Sequence, residues 1–149
     1  MLRLEPRQFR LQIHDISYKE REPRRAIRCE VVAPAGTARV IATHLGLSIA
    51  ERRGQARALT ALIGQGAVTT VVLGDFNDWF WVGSVRKVLA AHLPARSRER
   101  TFPSRCPVFR FDRIYCRPVA ALVRAGTDPA ASALSDHLPV IADIALETG

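Results

Sequence analysis

Apolar and polar positions divide the chain into strands and helices in alternation. "RVIATHL" (Arg39 to Leu45) and "VTTVVLGDF" (Val68 to Phe76) are β-branched and apolar, the pattern of strands covered on both faces. Between them, "SIAERRGQARALTALIGQG" places Ala56, Leu59, Leu62 and Ile63 at helical spacing. Ser48 followed by Glu51 forms a capping box at its start, and Gly64 or Gly66 ends it. A second, shorter helix is expected in "WVGSVRKVLAAHLP", with Val82, Val85 and Leu89 on one face and Pro94 as the stop. "ARSRERTFPSRCP" is charged and broken by proline, hence a loop. Two further strands are expected, Phe109 to Pro118 and Leu138 to Leu146. No internal repeat interrupts this order, so residues 1–149 read as one α/β domain.

Composition sharpens that reading only in places. An apolar content of 48% over 149 residues suffices for a sizeable core. No apolar run reaches the roughly 20 residues of a membrane span. "MLRLEPRQFR" has charges without the apolar stretch of a secretion signal, so the expected compartment is the cytoplasm. Cys29, Cys106 and Cys116 lack the close spacing of a zinc or redox motif and read as reduced, structural cysteines. The formal charge of +8 favours a polyanionic partner such as nucleic acid. Yet 20 of the 22 basic residues are arginine and they are spread along an alanine-rich chain, which a compositional bias explains equally well.

Polar residues then stand out by position. His44 ends the first predicted strand, Asp75 and Asn77 end the second, Asp112 lies in the third, and Asp136 with His137 precedes the fourth. Strand ends suit binding and catalysis because the strand holds the backbone while the loop leaves the side chain accessible. Each residue also has an ordinary role open to it. His44 could be a satisfied rim histidine, "GDFN" an Asx turn, "SDH" a turn before Pro139, and Asp112 the partner of Arg113. Asp78 departs from the strand phase and reads as a turn residue.

Taken in order, "ATHL", "LGDFND", "TFPS", "FDRIY" and "LSDHLPV" resemble the C-terminal part of the endonuclease/exonuclease/phosphatase family, metal-dependent phosphohydrolases related to deoxyribonuclease and the apurinic endonucleases. "REPRRAIRCEV" is similar to the family strand before the "THL" motif. The resemblance implies part of a sandwich of mixed β-sheets flanked by helices, and hydrolysis of phosphodiester or phosphomonoester bonds. It implies that Asp75 orients or deprotonates the attacking water and that Asn77 holds the scissile phosphate through its amide. His137 and His44 would contact the phosphate, Asp112 would fix the His137 tautomer, and Asp136 would be a ligand of magnesium, with manganese as a substitute. A carboxylate can accept the nucleophile's proton, while an amide donates to a phosphoryl oxygen without repelling it.

The family also opens with a strand bearing an Asn and a strand ending in its principal metal-binding Glu, and neither has a counterpart here. Glu5, Glu20, Glu22 and Glu30 do not follow a suitable apolar strand. The expectation is therefore a truncated, weakly active or inactive chain that binds metal feebly. Two alternatives of other classes stay open: a catalytically dead dimerising module, or a basic nucleic-acid-binding domain without chemistry. Missing cover over the sheet would leave apolar surface wet at about 25 cal/mol per Å², which favours a homodimer.

Overall fold

Six strands form one mixed sheet in the order β1-β2-β3-β4-β6-β5, and two more form a second, smaller sheet. The computed structural model describes residues 8–66, 68–79 and 84–146. The elements are β1 (Gln8–Asp15), β2 (Arg25–Ala33), β3 (Gly36–His44), α1 (Ile49–Ile63), β4 (Thr69–Asp75), α2 (Ser84–Ala90), β5 (Ala95–Arg96), β6 (Asp112–Arg117), β7 (Leu122–Thr127) and β8 (Val140–Ile144). β3 and β4 run parallel with α1 as the crossover between them, and every other pairing is antiparallel.

The expected β3, α1 and β4 form much as their patterns dictate. The Ser48 hydroxyl accepts from the Glu51 amide, and Gly64 closes α1 at φ +68°. α2 covers the later part of the second predicted helix; Val82 lies outside the described residues. The third predicted strand starts at Asp112 rather than Phe109, because Phe109 pairs instead with Phe102 across the preceding loop. β1, β5 and β7 were not anticipated. β1 does show period-two alternation at Leu11 and Ile13, but those side chains stay exposed.

Cover on the main sheet is uneven. Ile41, Val72 and Tyr115 face α1 and α2 and are wholly buried with Leu45, Leu59, Ile63 and Leu89. On the opposite face Val71, Ile114 and Cys116 pack beneath β7 and β8 through Leu122, Val140, Ala142 and Ile144. β4 is thus covered on both sides, as its composition requires. The register carries that second face outward from Val71 through Val40 and Cys29 to Leu11, and from Leu73 through Ala42 and Ile27 to Ile13. There the cover stops: Leu11 is 54% and Ile13 60% exposed. The bare apolar region lies on β1 and β2, not on the two central strands. All three cysteines are free; Cys116 is buried, whereas Cys106 is exposed and so lies outside the core.

Candidate active site

Strand register builds the site. His44 is the cross-strand partner of Asp75, and Asp75 of Asp112, so three strand ends present these side chains in one row on one face. Gly74 makes the close strand approach possible. Its φ is +143°, and a Cβ there would lie 1.8 Å from the Thr43 carbonyl oxygen. Beyond Asp75 the chain turns sharply: the Asn77 amide donates to Asp75 Oδ1 at 2.8 Å, and Asn77 takes a left-handed φ of +48°. Asparagine tolerates that conformation better than most residues do.

The side chains converge. His137 Nδ1 lies 2.7 Å from Asp112 Oδ2, a distance for a charge-assisted hydrogen bond that directs Nε2 to the other side of the ring. His44 Nε2 lies 3.4 Å from Asp75 Oδ2 and 3.2 Å from Asn77 Nδ2, while that amide also donates to the Leu45 carbonyl at 2.9 Å. Asp75, Asp112 and His137 each offer a ligand atom, all within 4.8 Å of one another. Burial raises the Asp75 carboxyl above its ordinary range. The Asp112 charge adds to that rise, while the Asn77 hydrogen bond and the two imidazoles oppose it. Two crowded carboxylates of this kind suit a divalent cation, which would relieve their repulsion, and magnesium takes one or two carboxylates with waters and substrate oxygens completing its shell.

Asp136 stands apart from this group. It is exposed, and its carboxylate accepts from the Ser135 hydroxyl at 3.4 Å. Asp78, expected at a turn, is buried beyond the sharp bend at Asn77, with Arg113, Arg52 and Arg86 close enough to oppose the rise that burial imposes on its carboxyl. Asp112 pairs with His137, so the simple ion pair with Arg113 is not formed. Of the early acids, Glu22 pairs with Arg24, and Glu30 accepts from both Arg28 and Arg39; Glu5 lies outside the described residues.

Two residues whose roles were not foreseen hold the His137 loop. Thr101 is buried, accepts the Asp112 amide at 3.3 Å through its hydroxyl, and receives the Leu138 amide at its carbonyl. Ser104 receives no less use: its amide donates to the Asp136 carbonyl at 2.7 Å, and its hydroxyl reaches the Ser132 and Ser135 carbonyls. The "TFPS" motif therefore ties the Asp112 strand to the His137 loop. The motif itself was visible in sequence; its partners are backbone amides and carbonyls, which leave no residue-type signal.

Fold and cluster define a mixed α/β domain with its acids and imidazoles gathered at the ends of adjacent strands. The chain belongs to the Endonuclease/Exonuclease/phosphatase family, whose model matches residues 6–137. Uncharacterized protein YbhP of Escherichia coli K12 is 34% identical over 148 aligned residues, covering 89% of this chain and 56% of the relative. The chain thus spans little more than half the length of the curated relatives it matches. A functionally unknown conserved protein from Enterococcus faecalis V583 superposes with a TM-score of 0.75 at 17% identity, covering 97% of this chain and 68% of that one. A mannosyl-6-phosphatase from Bacteroides thetaiotaomicron gives 0.66 at 14% identity, covering 91% and 67%. At such identities these structures show the shared fold alone.

Proposed function

We propose that the chain is a metal-dependent phosphoester hydrolase of low intrinsic activity. The observation that carries this reading is the His137–Asp112 pair at 2.7 Å beside a half-buried Asp75 at adjoining strand ends. Asp75 takes the proton of the attacking water, as a carboxylate at this position can. His137, oriented by Asp112, presents Nε2 to a phosphoryl oxygen. Asn77 donates to the same group through the N–H that now faces His44, and His44 is exposed enough to turn aside. Asp75 and Asp112, whose carboxylates lie close together, would hold the magnesium ion. When bound, that ion neutralises charge on the phosphate. Weak activity follows from the small number of carboxylates close together, since hard cations held by few protein oxygens bind loosely.

Hydrolysis of bis-p-nitrophenyl phosphate with and without magnesium tests the proposal. Slow, magnesium-dependent turnover is expected, falling by about 10² to 10⁴ in Asp75→Ala and His137→Ala. Turnover indifferent to magnesium, or to both substitutions, would overturn it.

The bare face of Leu11, Ile13 and Ile27 supports self-association. This face continues the one that β7 and β8 cover further along the sheet, and a second copy offers the same apolar strip by two-fold symmetry. Sedimentation at micromolar concentration should find a dimer that Ile13→Lys converts to monomer; a wild-type monomer would refute it.

A further inference from the structure

Six arginines converge where the sequence had scattered them. Arg86 of α2, Arg96 of β5, Arg98 and Arg100 of the following loop, and Arg110 and Arg113 at and before β6 line a cavity of about 590 Å³. Asp78 is its only acidic lining residue among the described residues, leaving five positive charges in excess. Even that carboxylate is shared, since Arg113, Arg52 and Arg86 all act on it. Glu99 sits between Arg98 and Arg100 in sequence but turns back to accept the Arg98 amide at 2.7 Å. Among the described residues, no carboxylate forms an ion pair with Arg96, Arg98, Arg100, Arg110 or Arg113.

Loop geometry holds this arrangement open. Arg110 Nε donates to the Arg98 carbonyl at 2.6 Å, and Arg113 Nε to the Arg110 carbonyl at 2.9 Å, so each guanidinium is anchored at its inner nitrogen. Burial holds Arg96 below its ordinary range, and among its neighbours Arg113, Arg86 and Arg98 push the same way. The rings of Trp79 and Phe109, 43% and 38% exposed, flank the opening.

We infer that this cavity is an anion-binding site, distinct from the strand-end cluster, for a ligand carrying several phosphates in series. Spaced guanidinium groups match successive phosphates better than one compact anion, because each can pair with its own phosphoryl oxygens. A nucleic-acid strand and a free oligophosphate share this chemistry. The inference does not depend on the hydrolytic reading, because none of the residues assigned to catalysis lines the cavity.

Calorimetric titration of the full chain with inorganic tripolyphosphate, in chelator, tests it. Binding should be at least tenfold tighter than that of orthophosphate. It should weaken about tenfold or more in Arg98→Gln/Arg100→Gln, whose side chains are exposed and dispensable to packing. Removal of the exposed Arg124 charge on β7 by Arg124→Gln should change affinity less than twofold, and Asp75→Ala/His137→Ala should retain binding. Competition by a short single-stranded DNA would identify the strand as the source, and its failure to compete the free oligophosphate; either sustains the site. The inference falls if Arg124→Gln weakens binding as much as the cavity variant, if Asp75→Ala/His137→Ala alone abolishes it, or if orthophosphate binds equally well.

Discussion

The two halves of the main sheet are made of similar strands and used differently. In β3, β4 and β6 the backbone is sandwiched between α1 and α2 on one side and, over β4 and β6, the small sheet on the other. In β1 and β2 the helix-side positions carry Arg10, Gln12, Arg28 and Glu30 beside a buried Ala26, while Leu11, Ile13 and Ile27 face outward uncovered. The candidate site grows only from the covered half. Side chains that must meet within a few ångströms need strand ends whose relative positions packing has made rigid.

Stability measurements can break this comparison. Ile41 is wholly buried, so Ile41→Ala should cost about 2–5 kcal/mol in urea denaturation. Equal tolerance at Ile41 and at Leu11 would mean that cover does not distinguish the halves. Next in size, Ser104→Ala removes the hydroxyl that serves two carbonyls beneath the His137 loop and should cost about 1–3 kcal/mol. It should also lower kcat more than it raises KM, as expected of a positioning residue.

Asp75 sharpens the contrast through pH. Its carboxyl titrates above the ordinary aspartate range when folded, so ionising it costs stability at neutral pH, and that cost disappears once acid protonates it in both states. In metal-free buffer, Asp75→Asn should therefore raise the melting temperature at pH 8. The gain should shrink as pH falls through the carboxylate range; a gain independent of pH would exclude this cause. Smallest of all, Leu11→Ala should change monomer stability by no more than about 0.5 kcal/mol, checked in the same urea series.

Sequence made the covered half legible because its requirements are local. β4 must be apolar on both faces, and the polar residues must come at strand ends. The loop from Ser97 to Phe111 was opaque for the opposite reason. Arg98 and Arg100 look like solvated charge until β5, β6 and α2 bring Arg96, Arg113 and Arg86 beside them. Thr101 and Ser104 act on carbonyls and amides eleven to thirty-seven positions away, whatever side chains those residues carry. β1 was overlooked because its alternation begins inside a charged terminus. Asp136 was assigned by resemblance to the metal, yet its carboxylate lies outside the close cluster of Asp75, Asp112 and His137.

The row formed by His44, Asp75 and Asp112 makes strand alignment and chemistry the same variable. If β4 were to pair one residue out of step, its side chains would exchange faces, and Gly74 or Phe76 would stand where the carboxylate belongs. A misaligned chain could keep its strands and still lose every reacting group at once. Specific activity per folded molecule would then serve as a gauge of folding fidelity, reporting alignment errors that spectroscopic measures of strand content would pass over.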